Sequence, residues 1–112
     1  MSRLTSHVLD TALGQPARGV VLHLDVMEAG TWRPVAAAIT DGDGRASDLL
    51  GGVPLQARTY RLTFETGAYF QATGRPAFFP RVEVTFEVAA PGDHHHIPLL
   101  LSPFGYSTYR GS

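Results

Sequence analysis

Regular alternation of apolar and polar residues is the feature that most constrains how this chain folds. In residues 82–88, valine and phenylalanine alternate with glutamate and threonine, a period that places the apolar side chains on one face of a half-buried strand. Gly, Pro and Asp turns separate this run from similar ones at residues 4–9, 20–26, 60–64 and 96–102. About seven or eight such strands predict an all-β fold, a two-sheet antiparallel sandwich with Greek-key connections, and residues 65–73 predict one short helix.

Length and composition limit the sandwich to one domain and exclude several functions. The chain has 112 residues, enough for one hydrophobic core, so we expect a single domain over residues 1–112. A net charge of -1 offers no electrostatic basis for binding nucleic acid or an anionic membrane. The absence of cysteine excludes disulfide bonds, thiolate metal sites and a cysteine nucleophile. Charged residues make up 17%, below the typical ~25%, and this low content favours a buried interface between subunits.

The N-terminal residues and the apolar runs bear on where the protein is located. Residues 1–3 lead directly into a strand pattern, without the apolar stretch of a signal peptide. No apolar run approaches the roughly 20 residues that a membrane helix needs. We therefore expect a cytoplasmic protein.

The C-terminal stretch joins a core strand to a polar end. Apolar side chains at alternate positions of residues 96–102 share one face of a strand, whereas His96 lies on the other face. The Ser-Pro-Phe-Gly sequence at 102–105 predicts a turn, and residues 106–110 predict the returning strand of a hairpin. The polar residues 109–112 either cap an edge strand or line a wet cavity in which their polar groups are satisfied.

Several histidines and one arginine are candidate functional residues. His7 lies inside a strand, where a lone histidine is more often bonded to the backbone than catalytic, and Arg45 after an acidic turn is typical of a surface charge. Alternation puts His94 and His96 on one face, a spacing that recurs in zinc sites. The simplest interpretation makes His94 and His95 solvated turn residues, and a metal-binding module stays an alternative.

Three separated motifs and the C-terminal tetrapeptide carry a family resemblance. The motifs are LTSHVLDTALGQPA at 4–17, TDGDGR at 40–45 and HIPLLLSP at 96–103, and the tetrapeptide is YRGS at 109–112. Together they resemble the 5-hydroxyisourate hydrolases, the enzymatic relatives of transthyretin. The resemblance extends from residue 4 to residue 112, so it covers nearly the whole chain.

This resemblance implies a fold, an assembly and a reaction. The fold is transthyretin-like, with two four-stranded sheets and one short helix, assembled as a homotetramer that is a dimer of dimers. The reaction is hydrolysis of 5-hydroxyisourate to 2-oxo-4-hydroxy-4-carboxy-5-ureidoimidazoline in urate degradation, without a metal or an organic cofactor. The substrate is the only small-molecule partner that the resemblance implies.

The resemblance also assigns roles to individual residues. The implied catalytic residues are His7, Arg45, His96 and Ser112. The implied substrate contacts are His7, Arg45, Tyr109, Arg110 and Ser112. Histidine suits the activation of water because its reference pKa is about 6.5, and the planar guanidinium suits an anionic, planar substrate. The sequence does not identify which histidine is the general base.

A non-catalytic carrier is the alternative function, because transthyretin binds a hormone in the corresponding channel without this hydrolysis. The fold alone does not separate the two functions. The residues separate the two functions, since carriers lack the combination of His7, Arg45 and His96 with the terminal tetrapeptide. The sequence therefore favours the enzyme.

Overall fold

The structure is a computed structural model that describes residues 3–47, 49–50 and 54–112. Strands account for most of this described part of the chain, and one short helix interrupts them. In chain order the elements are β1 (Arg3–Asp10), β2 (Gln15–Pro16), β3 (Val21–Glu28), β4 (Thr31–Ile39), β5 (Arg45–Ala46), β6 (Thr59–Phe64), α1 (Thr66–Ala72), β7 (Val82–Glu87), β8 (His94–Ser102) and β9 (Gly105–Thr108). No helix in these residues is long and apolar enough to cross a membrane.

Two sheets pack face to face, which confirms the predicted sandwich with one short helix. The first sheet has the order β2-β1-β8-β9 with β5 also paired to β1, and the second has the order β4-β3-β6-β7. The first sheet therefore has five strands rather than the implied four, because the two-residue strands β2 and β5 both pair with β1. One pair, β1 with β8, is parallel rather than antiparallel. Side chains alternate with the same period in parallel and in antiparallel strands, so the alternation does not predict the direction of a strand relative to its neighbour.

The hydrophobic core lies between the two sheets and follows the predicted alternation. On β3, Leu22 and Leu24 are fully buried, whereas His23 faces outward and contacts Glu65. The core's largest fully buried side chains include Phe64 and Phe70. Burial of apolar surface stabilises the fold by about 25 cal/mol per Å². The inner faces therefore hold the two sheets together, and the side chains on the outer faces are available for binding or catalysis.

A buried carboxylate anchors the end of β1 to the helix region. Asp10 is fully buried, and its Oδ2 accepts hydrogen bonds from the Tyr69 hydroxyl at 2.7 Å and from Arg75 Nη2 at 2.6 Å. Burial alone would raise the pKa of Asp10, but hydrogen bonds from Arg75, Tyr69 and the Leu13 backbone hold that pKa below its ordinary value. These contacts fix the strand that carries His7.

Candidate active site

Three of the predicted site residues come together on the outer face of the first sheet. In the register of the sheet, His7 lies beside Arg45 of β5, and Thr5 lies beside His96 of β8. Residues that are directly paired on neighbouring strands point to the same face. His7, Arg45 and His96 are therefore brought to one surface from three distant parts of the chain.

A tight turn before β5 positions Arg45. Asp41 Oδ1 accepts backbone hydrogen bonds from Asp43 at 2.9 Å and from Arg45 at 3.0 Å, and these bonds lower the pKa of Asp41. Gly44 has φ +74°, and a Cβ added there would lie 2.4 Å from the Val8 carbonyl oxygen. Glycine is therefore the residue that fits this turn against β1.

His7 is partly exposed and is held by the same turn. Its Nε2 lies 2.8 Å from the carbonyl oxygen of Asp43. Because a carbonyl only accepts, Nε2 must carry the hydrogen, and Nδ1 of the neutral ring is left as an acceptor. His7 thus combines the backbone contact expected of a strand histidine with a position on the site face.

His96 is held from two sides. Its Nδ1 lies 2.7 Å from the Thr5 hydroxyl, which also lies 3.0 Å from Nε2 of His94. On the other side, the Gly111 backbone N–H donates to the His96 carbonyl at 2.8 Å. A Cβ on Gly111 would lie 2.5 Å from Cδ2 of the His96 ring. The C-terminal tail is therefore fastened directly over this histidine.

The surroundings of His96 favour its neutral form. Burial lowers the pKa of His96 below its ordinary value of 6.5, and electrostatic interaction with His94, His7 and Arg45 lowers the pKa further. A backbone hydrogen bond with Thr5 opposes this shift only in part. A neutral imidazole with a free ring nitrogen is able to accept a proton at neutral pH.

Two adjacent cavities divide the predicted site residues apart from His7, which lines neither of them. A cleft of about 260 Å³ is lined by Arg45, His96 and Ser112, together with Arg3, Thr5, Ser47 and His94. A second cavity of about 230 Å³ is lined by Tyr109, Arg110 and His96, together with Val84, Phe86, Glu87, His95, Ile97 and Thr108. His96 lines both cavities. Within one subunit, Tyr109 and Arg110 therefore lie beside the cleft that holds Arg45, not in it.

The prediction that His94 and His95 are solvated turn residues is wrong for His95. Strand β8 begins at His94, so alternation turns His95 inward, where it is only 5% exposed and its Nδ1 lies 3.1 Å from the Asp93 carbonyl oxygen. His94 is exposed, but it belongs to the strand and contacts Thr5. In the described part of the chain, no group of three or more His, Cys, Asp or Glu side chains is placed to hold a metal ion.

Thr5 and His94 are among the cleft residues that sequence reasoning did not assign to the site. Alternation in residues 4–9 already places Thr5 on the same face as His7, and this was the available signal. The partner of Thr5, however, depends on the parallel pairing of β1 with β8, which no local pattern indicates.

Known proteins resemble this chain along nearly its whole length. A sequence model described as the HIUase/Transthyretin family matches residues 4–111. The 5-hydroxyisourate hydrolase 2 of Rhizobium meliloti is 45% identical, and the match covers 98% of this chain and 96% of that protein. The solved structure of Klebsiella pneumoniae 5-hydroxyisourate hydrolase has a TM-score of 0.89 and 40% identity, with 100% of both chains covered.

A transthyretin has almost the same backbone. Sea bream transthyretin, solved in complex with thyroxine, has a TM-score of 0.90 and 34% identity, and the match covers 96% of this chain and 93% of that one. The TM-scores to the hydrolase and to the transthyretin are nearly equal. The fold therefore does not distinguish hydrolysis from transport, and the side chains in the cleft must do so.

Proposed function

The chain belongs to the HIUase/transthyretin family, and from this membership we propose that it hydrolyses 5-hydroxyisourate to 2-oxo-4-hydroxy-4-carboxy-5-ureidoimidazoline in urate degradation. One observation carries the proposal. Arg45, His96 and Ser112 line a single cleft, and His7 lies beside Arg45 on the same face of the sheet. This arrangement supplies a cation, a neutral histidine and polar groups to a small anionic ring.

Arg45 captures the substrate in this proposal. Its side chain is exposed, and no carboxylate among the described residues forms an ion pair with it. The guanidinium fork is therefore free to donate two parallel hydrogen bonds to adjacent acceptors on the substrate. The same charge stabilises the oxyanion that forms when water attacks the ring carbonyl.

His96 is the general base in this proposal. Its Nδ1 is occupied by Thr5, so Nε2 is the nitrogen that takes a proton from water. The hydroxide formed adds to the ring carbonyl carbon, the C–N bond breaks, and the proton passes to the leaving nitrogen. Positioned proton transfer of this kind contributes about 10² to 10⁴ in rate. Because its pKa is lowered, His96 stays neutral at neutral pH and is able to accept a proton.

His7 orients a reactant rather than taking the first proton. Its Nε2 hydrogen is donated to the Asp43 carbonyl, so the remaining nitrogen, Nδ1, accepts a hydrogen bond. We assign this nitrogen to the attacking water or to a substrate N–H. His7 and His96 then have different tasks because their hydrogen-bond partners differ.

We also propose that residues 1–112 act as one domain that assembles into a homotetramer, a dimer of dimers. Two edge strands support this assembly: β9 ends the first sheet and β7 ends the second. Free edges favour pairing with another chain. The cavity lined by Tyr109 and Arg110 also contains Val84 and Phe86 of β7, so a second subunit on this side would complete it. Sedimentation tests the assembly, and a fully active monomer would contradict it.

The cytoplasmic location stays a prediction. Comparing the enzyme's distribution between cytoplasmic and exported fractions of source cells would test it. Recovery in the exported fraction would overturn that prediction without affecting the reaction.

A carrier function is the alternative, and the likeness to transthyretin favours it only at the level of backbone. One assay separates the two functions. Urate oxidase generates 5-hydroxyisourate from urate, and absorbance follows its decay with and without the purified chain. We expect accelerated decay with the wild type and much slower decay with His96→Asn. No acceleration by folded, assembled wild type would overturn the hydrolase and leave the carrier.

A further inference from the structure

One threonine hydroxyl connects two histidines in the cleft. Thr5 Oγ1 lies 2.7 Å from His96 Nδ1 and 3.0 Å from His94 Nε2. A hydroxyl carries a single hydrogen, so it donates to only one of the two rings, and the other ring must donate its own N–H to the oxygen. The hydrogen positions of the two histidines are therefore coupled through Thr5.

We propose that Thr5 is a positioning residue that sets the tautomer of His96, and that His94 exchanges protons with His96 through the Thr5 hydroxyl. The proposal rests on the proposed function, in which His96 Nε2 takes a proton from water. It adds two residues to the reaction that the family resemblance did not assign. The histidine pair becomes a relay of three side chains: His94, Thr5 and His96.

The proton balance of the relay is complete. Before reaction, His96 Nδ1–H donates to Thr5, and the Thr5 hydroxyl donates to His94 Nε2, so His96 Nε2 is free. When Nε2 takes a proton from water, the Nδ1 hydrogen moves to Thr5 Oγ1 and the hydroxyl hydrogen moves to His94 Nε2. His94 becomes an imidazolium, His96 stays neutral, and the hydroxide attacks. When Nε2 releases its proton to the leaving nitrogen, the two other hydrogens return.

The charges around His96 give the relay its physical reason. The charged, chargeable or polar groups around it are His7 and Arg3 from β1, Arg45 from β5, Glu87 from β7, His94 from its own strand, and Tyr109, Arg110 and Ser112 from the tail. An imidazolium at His96 would be partly buried and close to Arg45. An imidazolium at His94 is exposed to solvent, where water screens it. Moving the charge outward therefore avoids the repulsion that already lowers the pKa of His96.

Substitutions at Thr5 separate the hydroxyl from the shape of the side chain. Thr5→Val keeps the branched shape and removes the hydroxyl, and we expect kcat to fall by about tenfold or more, since one part of a positioned proton transfer is lost. Thr5→Ser restores the hydroxyl and should recover kcat to within about threefold. Thr63→Val makes the same change on β6 of the other sheet and should leave kcat unchanged. Equal loss in Thr5→Val and Thr5→Ser, or no loss in Thr5→Val, would overturn the proposal.

A second comparison tests whether Thr5 acts through His96. In a His96→Asn background, adding Thr5→Val should lower kcat no further, because the group that Thr5 positions is already absent. His94→Gln keeps a hydrogen-bonding side chain near Thr5 but is unable to hold an extra proton, so we expect a loss of about tenfold. A fully additive loss in the double variant, or wild-type kcat in His94→Gln, would contradict the relay.

A spectroscopic readout makes the test independent of the activity. In the assembled protein with ¹⁵N-labelled histidine, ring nitrogen shifts report which nitrogen of each histidine carries hydrogen. We expect His96 to carry hydrogen on Nδ1 in the wild type and in Thr5→Ser, and to shift toward the other tautomer in Thr5→Val. An unchanged His96 tautomer in Thr5→Val would overturn the proposal even if kcat fell. If the wild type did not hydrolyse 5-hydroxyisourate, the nitrogen shifts would still decide the coupling.

Discussion

The outer faces of the two sheets carry similar cationic side chains, but these side chains form ion pairs with carboxylates on only one of the faces. On the β4-β3-β6-β7 sheet, the cationic groups lie beside carboxylates. These pairs are Arg61 with Asp25 and Glu83, His23 with Glu65, Arg81 with Glu65, and Arg33 and Arg58 with Glu28. On the β2-β1-β8-β9 sheet, Arg45, His7, His94 and His96 form no ion pair among the described residues, although Asp41 attracts Arg45 and His7 from beyond ion-pair distance.

This difference in charge pairing indicates which face is a binding surface. Exposed ion pairs contribute about 0–1 kcal/mol each, and on the paired face they neutralise most of the cationic groups locally. The other face brings Arg45 and three chargeable histidines together, and the pKa of His96 is lowered first by burial and then by interaction with these groups. A surface that keeps repelling cations is suited to an anion, because the anion supplies the missing charge. The cleft therefore suits a small anionic ligand such as the proposed substrate.

Replacing a histidine on each face should produce the largest contrast. His96→Asn removes the proton acceptor, and we expect kcat to fall by about 10² or more while the fold is kept. His23→Asn on the paired face, whose ring contacts Glu65 at 3.5 Å, should retain wild-type kcat. Steady-state decay of 5-hydroxyisourate measures both, with circular dichroism as the control for folding. Comparable losses in the two variants would end the distinction between the faces.

The tail over His96 offers the next largest effect. Gly111→Ala places a Cβ 2.5 Å from the His96 ring, so the ring or the tail must move, and we expect kcat to fall by about tenfold or more. Gly105→Ala is the matched control, since its added Cβ would meet only the Ser102 Oγ, at 3.7 Å. Wild-type kcat in Gly111→Ala would show that the tail does not position His96.

Exchange of arginine for lysine should affect only the unpaired face. Arg45→Lys keeps the charge but loses the planar fork, so we expect kcat/KM to fall by about tenfold, mainly through KM. Arg33→Lys, beside Glu28 at 3.2 Å on the other face, should change neither constant. Initial rates over a range of substrate concentrations give both constants. Identical kinetics for Arg45→Lys and the wild type would make Arg45 a simple surface charge.

The pH profile should show a smaller shift. Because burial and like charges lower the pKa of His96 below 6.5, His96 stays neutral above that lowered pKa, and kcat/KM should be lost only as the pH falls through it. Arg45→Gln removes one of those charges, so the pKa should rise toward 6.5 and the acid limb should move to higher pH. The relative profile, normalised to its own maximum, measures the shift. An acid limb that moves to lower pH would contradict the repulsion.

The smallest effect is expected on the paired face. Glu28→Gln removes the partner of Arg33 and Arg58, both exposed, so the free energy of unfolding should change by no more than about 1 kcal/mol. Urea denaturation measures the change, and the hydrolase assay should detect none. A clear loss of activity would mean that this face also serves the reaction.

Much of the fold and part of the site were predictable because their causes are local. The hairpin of β8 and β9 forms at the predicted turn, residues 102–105. His7, Arg45 and His96 came from motif resemblance, and the structure brings them to one face. His95 was predicted wrongly because the boundary between turn and strand decides whether it faces solvent, and β8 starts earlier than the pattern suggested.

By itself, the sequence determined the strands, the faces of their side chains and the family, since two-residue alternation, turn residues and contiguous motifs are all local properties. Only the tertiary structure decided that β1 runs parallel to β8, and this register brings Thr5 to His96 across 91 positions of sequence. It also decided that Gly111 closes over the His96 ring and that Tyr109 lies in a neighbouring cavity. The physical reason is that register and strand direction are set by long-range packing of both sheets, and a strand's own periodicity is the same whichever neighbour it has.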